Sequence, residues 1–566
     1  MPLQITESRR QTGAGRLLDS PGAALEVSVS GDRQAFEAAW REHALRLASA
    51  AGLPAPTVAS RPFSAGLSLA VSAPEDALYA AAELNEAAAR LAHADVTGEP
   101  AGETVAEAAD RVRSIADRDR DPALVALLRA AEAHGVSALW DDDAVTLGLG
   151  TGSHTWHARS LPPPDAVAWD TLGDVPVALV TGTNGKSTTV RMLAAMATAA
   201  GHTPGVSTTD YVAVGSDVVE TGDFSGPMGA RAALRDRRAT LGILEVARGG
   251  LLRRGVPVAR ARVACITNVA ADHLGEFGVE TVEELAEAKF VVTRALTAGT
   301  TLVLTADDPA TVAEATRQAD SLRARGVDVA WVALDASMIP QASVGGVAAV
   351  VDGHVALRRS GGAWAPLVSV AKMPCAMGGA AAHNVRNALS AVATGAALGL
   401  TDEALADGLR AFRGDATDNP GRANVWSVRG VTVVVDYAHN AHGLSALMAF
   451  AGQLPAQRRL VLLSCAGDRP NADIEALATT ALPLGADRYL VADLPDYLRG
   501  RTPGEVPAVL GRALVEAGVD PDAVEAFADP AAAARAALAW ATPGDVLLLV
   551  ALSHRDEIAA LLKSGG

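Results

Sequence analysis

The stretch TGTNGKSTT, residues 181–189, decides the fold of this 566-residue chain. It follows the apolar run VPVALV (175–180), which is typical of a buried strand, and it precedes a segment with helical apolar spacing. A glycine-rich turn between a strand and a helix gathers backbone N–H groups and a helix N-terminus around an anion. The stretch therefore predicts a phosphate-binding loop, although a turn that only caps a helix is the simpler alternative.

The residue types of the loop suit nucleotide phosphates. Gly182 and Gly185 allow the backbone to approach an anion without a Cβ in the way. Lys186 can reach the β and γ phosphates, and the hydroxyl of Ser187 can bind Mg²⁺. The spacing departs from the common G-x-x-x-x-G-K-[ST] rule, because Val180 stands at the first glycine position. The other loop residues predicted to bind the nucleotide are Thr183, Asn184 and Thr188.

Strands and helices alternate on the C-terminal side of this loop, and such alternation predicts a parallel sheet with helices on both faces. A β-hairpin is expected with its turn at Asp352-Gly353. The predicted strands are LGILEV (241–246), RVACITNV (262–269) and TTLVLT (300–305), and the predicted helices lie near 281–297 and 381–398.

Two further regions flank this one. A second α/β run begins near residue 421, with strand candidates VTVVVDYA (431–438), RRLVLLSCAG, DRYLVADL and DVLLLVALSH. The first 160 residues mix alternating stretches with Ala-rich helical ones, and the Pro-rich SLPPPDAVAWD follows them. We therefore expect a small α+β N-terminal domain (1–160), a central P-loop-type ATPase domain with a parallel sheet (172–420) and a Rossmann-like α/β C-terminal domain (421–566).

Composition excludes several partners. The formal net charge of −17 argues against nucleic acid or an anionic membrane as a partner. No apolar run reaches the ~18 residues of a membrane span, and the N-terminus lacks a signal peptide's apolar segment. The three cysteines, Cys265, Cys375 and Cys465, are widely spaced and form no metal-binding pattern. A cytoplasmic location is the simplest expectation, and homo-oligomerisation is left open.

Lysine is scarce in this chain, whereas arginine is abundant. The four lysines are Lys186, Lys289, Lys372 and Lys563. Where arginine serves most cationic positions, a retained lysine indicates chemistry that a compact ammonium or its neutral amine can perform.

The form TGTNGK-[ST]-T resembles the nucleotide loop of the Mur ligase superfamily, and three later segments match in order. Glu245 ends the strand of LGILEVARGG, where a carboxylate is well placed for Mg²⁺. ITNVAADHLGEFG supplies His273 and Asn268, which the resemblance implies is a nucleotide contact, and ELAEAKFVV supplies Lys289. The resemblance implies that Glu245 and His273 hold a second Mg²⁺, and that Lys289 is carbamylated by CO₂. A structural histidine and a surface lysine are the plainer alternatives.

The resemblance extends to the nucleotide's adenine and to the C-terminal region. AAHNVRNALSAVA places Asn384 at a helix start near the adenine, where an amide can both donate and accept. NPGRANVW places Arg422 at an interdomain arginine that contacts nucleotide phosphate. DYAHNAHG places Asp436 toward the nucleotide. A helix cap would explain Asn384 equally well.

Within the superfamily, the match is to the ligase module of the cyanophycin synthetases. The segments that carry it are EVARGGLLRRG (245–255), AGDRPNADIEALA (466–478) and LRGRTPGEVP (498–507), with a weaker match at the N-terminal stretch RRQTGAGRLLDSPGAALEV. Those enzymes carry an ATP-grasp module between the two matching parts. Here the N-terminal region runs almost directly into TGTNGKSTT, which leaves no room for that module.

The resemblance implies an ATP-dependent ligase that joins a carboxylate to an amine through an acyl-phosphate. Lys186, Glu245, His273 and Lys289 are its predicted catalytic residues, and Ser187, Glu245 and His273 its metal ligands. The partners would be a small-molecule or peptide carboxylate and an amine such as arginine. A poly-γ-glutamate or folate-type ligase, a non-catalytic nucleotide-binding protein and a kinase are the alternatives. The arginines of EVARGGLLRRG are candidates for substrate carboxylate or phosphate contacts, or for surface ion pairs: Arg248, Arg253 and Arg254.

Overall fold

A computed structural model describes residues 3–340 and 346–565. The N-terminal region begins with a four-stranded antiparallel sheet of order β1-β2-β4-β3, and three helices pack against it. Trp40 and Asn85 join the helices to the sheet. The Trp40 indole N–H donates to the side-chain oxygen of Asn85, and the NH₂ group of Asn85 donates to the Leu69 carbonyl. The elements are β1 (Gln4–Gln11), β2 (Gly22–Ser28), α1 (Arg33–Ala51), β3 (Val58–Phe63), β4 (Gly66–Ser72), α2 (Leu78–Thr97) and α3 (Val105–Asp119).

A small second sheet completes the N-terminal region and rests on the central one. Arg235 donates from the central region to the Asp141 carboxylate, the Thr146 hydroxyl and the Ala144 carbonyl of this sheet. The elements are α4 (Pro122–Ala133), β5 (Ala138–Trp140), β6 (Ala144–Leu147) and β7 (His154–His157).

An eleven-stranded sheet forms the centre, in the order β11-β10-β9-β12-β8-β13-β14-β15-β16-β17-β18. Strands β9, β12, β8, β13, β14, β15 and β16 run parallel, and antiparallel strands close both edges. The strands are β8 (Val177–Thr181), β9 (Pro204–Ser207), β10 (Tyr211–Val214), β11 (Asp217–Thr221), β12 (Leu241–Glu245), β13 (Val263–Ile266), β14 (Thr301–Thr305), β15 (Asp328–Asp335), β16 (Val347–Val351), β17 (His354–Arg358) and β18 (Ala365–Ser369).

Helices cover both faces of the central sheet, as the alternating pattern predicts. Helices α5, α10 and α11 pack on one face, and α6, α8 and α9 on the other. The predicted hairpin is confirmed: Asp352 and Gly353 have φ values of +48° and +72°, as a two-residue turn with positive φ requires. The helices are α5 (Lys186–Ala199), α6 (Pro227–Arg235), α7 (Arg248–Arg254), α8 (Val282–Phe290), α9 (Pro309–Ala324), α10 (Ala382–Ala397) and α11 (Asp402–Ala411).

The C-terminal region has its own six-stranded sheet, of order β19-β20-β24-β21-β22-β23, in which only the β19–β20 pair is antiparallel. Helices α12, α13 and α14 pack on one face, and α15 and α16 on the other. The elements are β19 (Asn424–Val428), β20 (Val431–Asp436), α12 (Ala441–Gly452), β21 (Arg459–Ser464), α13 (Asn471–Thr480), β22 (Arg488–Ala492), α14 (Glu505–Glu516), β23 (Val524–Phe527), α15 (Pro530–Trp540), β24 (Val546–Val550) and α16 (Arg555–Lys563).

The expected fold class, α/β with a parallel central sheet, a C-terminal α/β region and a small N-terminal α+β region, is confirmed. The three boundaries near residues 160, 172 and 420 stay a prediction. Across residues 3–340 and 346–565, none of the helices combines the length and apolar character that crossing a bilayer requires. Cys265, Cys375 and Cys465 are buried, unpaired thiols, and burial raises the pKa of Cys265 to about 12.

Candidate functional site

The loop predicted to bind phosphate connects β8 to α5. Gly182 and Gly185 have φ values of +148° and +84°. A Cβ at Gly182 would overlap the Thr267 hydroxyl, and one at Gly185 would overlap the Asn387 amide. Glycine is therefore required at both positions, for conformation as well as for space. Helix α5 begins at Lys186 with no side-chain cap, so its first N–H groups are available to an anion.

Asn268, a predicted nucleotide contact, fixes the loop by hydrogen bonds to the backbone of Asn184. Its amide oxygen accepts from the Asn184 N–H at 3.0 Å, and its NH₂ group donates to the Asn184 carbonyl at 2.9 Å. The Thr183 N–H donates to the Asn268 carbonyl at 2.9 Å. Strand β13 lies beside β8, so the residues that follow β13 fix the loop's shape.

A line of oxygen atoms leads from the loop to the neighbouring strand. The Ser187 hydroxyl lies 3.3 Å from the Thr209 hydroxyl, which donates to a carboxylate oxygen of Glu245 at 2.7 Å. Glu245 is only 1% exposed at the end of β12. Oxygen ligands suit Mg²⁺, so this donor set fits the implied metal. Within the described part of the chain, no three His, Cys, Asp or Glu side chains could hold a metal ion by themselves. Mg²⁺ commonly completes its shell with water and substrate phosphates.

Lys289 of α8 is only 3% exposed and lines the same cavity as Lys186. Its ammonium forms no hydrogen bond or ion pair with any residue that the structure describes. Burial, with the charge of Lys186 nearby, holds the pKa of Lys289 well below its ordinary value of 10.5. The neutral amine is the form that adds CO₂, so the surroundings of Lys289 suit the predicted carbamylation, which stays a prediction.

His273 lies in a charged loop and has a φ of +52°. Its Nδ1 lies 2.9 Å from a carboxylate oxygen of Glu276, and its Nε2 accepts from the Arg469 guanidinium at 2.9 Å. Burial favours protonation of Asp272, but His439, His273 and Arg469 together hold the pKa of that carboxyl well below its usual range. Both ring nitrogens of His273 are engaged, so metal binding at Nε2 requires Arg469 to move. Sequence reasoning missed Arg469, although AGDRPNADIEALA contains it.

Asn384, predicted to face an adenine, is buried at the start of α10. Its NH₂ group donates to the Cys375 carbonyl at 3.0 Å, and its oxygen accepts from Asn387 at 3.4 Å. Beside it, burial lowers the pKa of His383 to about 4, and the His383 ring lies 6.2 Å from that of Phe450 on α12. The cavity passes between α10 and α12 at this point.

Arg422 and Asp436 line the cavity from the C-terminal region, and Arg422 approaches Asp210 of the central region. Asp436 accepts from the Ala423 N–H at 2.6 Å, and burial raises the pKa of its carboxyl. The Arg422 guanidinium lies 4.6 Å from the Tyr437 ring centre and 4.0 Å from the Asp210 carboxylate. Asp210 also accepts from Arg191 and Arg555, two contacts that no motif indicated.

A second interregional contact involves the loop itself. The side-chain amides of Asn184 and Asn440 bond reciprocally at 3.2 Å, and the Asn184 NH₂ group lies 2.9 Å from His442 Nδ1. The loop is therefore joined directly to the start of α12, and any movement of the C-terminal region changes these bonds.

One cavity of about 940 Å³ unites these residues. Its loop end comprises the loop predicted to bind phosphate, Glu245, Lys289 and the space between α10 and α12. Its sheet end is walled by the N-terminal sheet, together with Arg253, Phe277 and Arg499. The structure brings all the predicted site residues into its lining: Gly182, Thr183, Asn184, Gly185, Lys186, Ser187, Thr188, Glu245, Asn268, His273, Lys289, Asn384, Arg422 and Asp436.

The N-terminal sheet is fixed firmly beside this cavity. The Thr12 and Gly13 N–H groups donate to the Arg254 carbonyl at 3.0 and 3.1 Å, and the Val256 N–H donates to Ala14. A Cβ on Gly13 would overlap the Val256 carbonyl. Arg9 donates to the Leu252 carbonyl at 2.8 Å. The sheet wall is thus a fixed part of the site, which no sequence motif had indicated. The N-terminal residues that line the cavity are Thr6, Glu7, Glu26, Ser28, Phe63 and Ala65.

Comparisons with known proteins agree with this architecture. Residues 180–395 match the Mur ligase middle domain, and residues 421–551 match the Mur ligase glutamate ligase domain. A cyanophycin synthetase of Trichormus variabilis is 33% identical over 402 residues, which cover 70% of this chain and 43% of that protein. The chain thus spans less than half the length of the cyanophycin synthetases that it matches.

Two further relatives are more distant. The UDP-N-acetylmuramoyl-L-alanyl-D-glutamate–2,6-diaminopimelate ligase of Geobacter metallireducens is 29% identical over 405 residues, covering 68% of this chain and 74% of the ligase. A solved bifunctional folylpolyglutamate synthase/dihydrofolate synthase, with Mn, AMPPNP and L-glutamate bound, superposes with a TM-score of 0.51 at 21% identity. That superposition covers 69% of this chain and 89% of the other, and it shows a shared fold.

Proposed function

This chain belongs to the Mur ligase family, and we propose that it catalyses ATP-dependent joining of a carboxylate to an amine through an acyl-phosphate. The observation that carries the proposal is the single cavity that holds Lys186, Glu245 and Lys289 together. A protein that only binds nucleotide does not need a buried carboxylate and a buried lysine beside its phosphate loop.

The reaction has two steps. A carboxylate oxygen of the first substrate attacks the γ-phosphorus of ATP, which gives an acyl-phosphate and ADP. The amine of the second substrate then attacks the acyl carbon, phosphate leaves with the bond electrons, and the amine loses a proton. The product is an amide.

The chain's own residues serve the first step by positioning and charge. Lys186 and the N–H groups at the start of α5 stabilise negative charge on the phosphates. Ser187 and Glu245 are the residues that would hold Mg²⁺, which would supply further neutralisation of phosphate charge. Addition of CO₂ to the neutral amine of Lys289 releases a proton and creates an anion. Arg422 serves as a phosphate contact once it leaves Asp210.

The substrates are proposed from the relatives. The likeness to cyanophycin synthetases favours a basic amino acid such as arginine as the amine, and an aspartate-containing peptide or small acid as the carboxylate. The alternative acceptor, glutamate, is suggested by the folylpolyglutamate synthase likeness, which extends to fold alone.

Phosphate release from ATP and Mg²⁺, with products identified by mass spectrometry, tests the proposal. The panel pairs single amino acids and Asp- or Glu-containing peptides with arginine, lysine, glutamate and other amines. A product heavier than the acid by one amine minus water, formed together with ADP, is the expected result. Tight ATP binding without phosphate release from any pair would contradict the ligase proposal and favour a nucleotide-binding protein.

A further inference from the structure

Three guanidinium groups surround one aromatic ring at the sheet end of the cavity. The guanidinium carbons of Arg9, Arg253 and Arg248 lie 5.0, 5.3 and 5.8 Å from the centre of the Phe277 ring. Phe277 has a φ of +56°, which is costly for an aromatic residue and is sustained by surrounding packing. The ring is therefore a fixed platform between the central region and the N-terminal sheet.

Two of these three positive charges are neutralised within the protein. Arg9 donates twice to the carboxylate of Glu26, and Arg248 pairs with Glu276. Arg253 is exposed, lines the cavity and forms no ion pair with the residues described. The adjacent Arg254 donates to the Arg10 carbonyl instead and is not part of the cavity wall. One uncompensated cation is thus left at the sheet end, on the aromatic platform.

An uncompensated anion lies on the N-terminal sheet, in the lining of the same cavity. Glu7 of β1 pairs directly across the sheet with Glu26 of β2, so the two side chains share a face. Like charges at such a position are destabilising, and the nearby arginines have other partners: Arg9 is bound to Glu26, and Arg16 and Arg61 pair with Glu287. In the part of the chain that the structure covers, Glu7 forms no hydrogen bond or ion pair, and it lines the cavity.

Most other charged groups near this end have partners: Asp272 pairs with Arg469, Asp468 pairs with Arg499, and the Asp223 carboxylate accepts from the Ser225 N–H and hydroxyl groups. Among the described residues, Glu7 and Arg253 are two opposite charges of the cavity lining that have neither an ion pair nor a hydrogen bond. A ligand that carries both a carboxylate and a cationic group would neutralise both of them.

We propose that Arg253 binds the carboxylate, and Glu7 the cationic side chain, of the amino acid that supplies the amine, an inference that rests on the ligase proposal. The α-amine of such a substrate stays unbound by either residue and is left to react. The N-terminal sheet thereby acquires a role in substrate selection.

Isothermal titration calorimetry of the full chain, with a non-hydrolysable ATP analogue and Mg²⁺, tests this pair directly. The probes are arginine, its uncharged isostere citrulline, lysine and norleucine. Wild-type protein should bind a cationic probe more tightly than its neutral partner. Glu7→Gln should lower that preference by about 10-fold, and Arg253→Gln should weaken binding of both partners by about 10- to 100-fold.

Matched controls remove exposed charges elsewhere. Glu42→Gln on α1 and Arg237→Gln beyond α6 lie outside the cavity wall and should leave all four affinities unchanged. No binding of any probe to wild-type protein, or an unchanged cationic preference in Glu7→Gln, would overturn the proposed pair.

The ligation assay separates this inference from the function on which it rests. Ligation by wild-type protein with an unaltered amine preference in Glu7→Gln refutes the pair and leaves the ligase intact. Binding that follows the predicted pattern without ligation from any acid refutes the ligase and leaves the pair as a binding site.

Discussion

The loop end and the sheet end of the cavity are assembled in different ways. At the loop end, the groups proposed to bind phosphate come from one strand–turn–helix unit, and residues at neighbouring strand ends support it. At the sheet end, Arg9 of β1 reaches the Leu252 carbonyl across 243 positions of sequence, and Arg16 reaches Gly278 across 262. The first arrangement is local and recognisable, whereas the second exists only after distant segments have packed.

The largest expected effect is at the loop end. Lys186→Ala removes the cation beside the phosphates and should lower phosphate release by about 10³-fold, while the protein folds normally. Lys563→Ala, at the end of α16, is the matched control and should keep full activity. Ligation by Lys186→Ala at the wild-type rate would show that the loop is not catalytic and would end the contrast between the two ends.

At the sheet end, substitutions should lower the free energy of unfolding rather than the rate of phosphate transfer. The Arg9–Glu26 pair is 9% and 3% exposed. Arg9→Ala leaves the Glu26 carboxylate buried with Ser68 as its remaining donor, which costs about 3–5 kcal/mol. The urea concentration at the midpoint of the first unfolding transition should be lower for Arg9→Ala than for wild type.

A double variant is the control for this pair. Arg9→Leu with Glu26→Leu removes both charges and should recover most of the lost stability, because no unpaired charge stays buried. A single Arg9→Ala variant as stable as wild type would mean that the sheet is not held through this pair.

Lys289, also at the loop end, should give the next effect. Lys289→Arg keeps a positive charge but removes the amine that adds CO₂, so activity should fall by about 100-fold. Wild-type protein in ¹³C-bicarbonate should show a carbamate carbon resonance that is missing from the variant. An active wild-type enzyme without that resonance would contradict carbamylation while leaving Lys289 in the site.

The two ends also differ in how far sequence alone could predict them. Local periodicity and residue type correctly predict β8, the loop, α5 and the parallel order around them, because each depends on neighbours in sequence. The contacts of Asn268 and Asn384 could be learned only from the structure, because both side-chain amides donate to backbone carbonyls of other segments. Arg469 and Asp210 were missed, because their partners belong to other segments of the fold.

His383 offers a smaller effect, on pH dependence at the loop end. Its pKa is 6.5 in an unfolded chain and about 4 in the fold, so the unfolded state binds more protons between these values. The stability that neutral His383 contributes is therefore fully present above pH 6.5 and is lost as the pH falls toward 4. By pH 5.5 the loss should be about 1 kcal/mol.

Thermal melts at pH 7.5 and pH 5.5 check this window. His383→Gln should lose less Tm on acidification than wild type, whereas His157→Gln, at an exposed position of β7, should follow wild type. Equal acid sensitivity in all three proteins would contradict the assignment of this window to His383.

The smallest effect belongs to the rim of the sheet end. Arg61 donates to Glu287 at 2.8 Å and to Glu284 at 3.2 Å, but its side chain is 29% exposed. Arg16 also pairs with Glu287, so Arg61→Ala leaves that carboxylate neutralised, and the loss should be only about 0.5 kcal/mol. Screening by salt ions should remove this loss in about 1 M salt.

Arg46→Ala, at an exposed position of α1, is the control and should leave stability unchanged at low salt and at high salt. A loss from Arg61→Ala as large as that from Arg9→Ala would mean that the rim, rather than the buried pair, holds the sheet against the cavity.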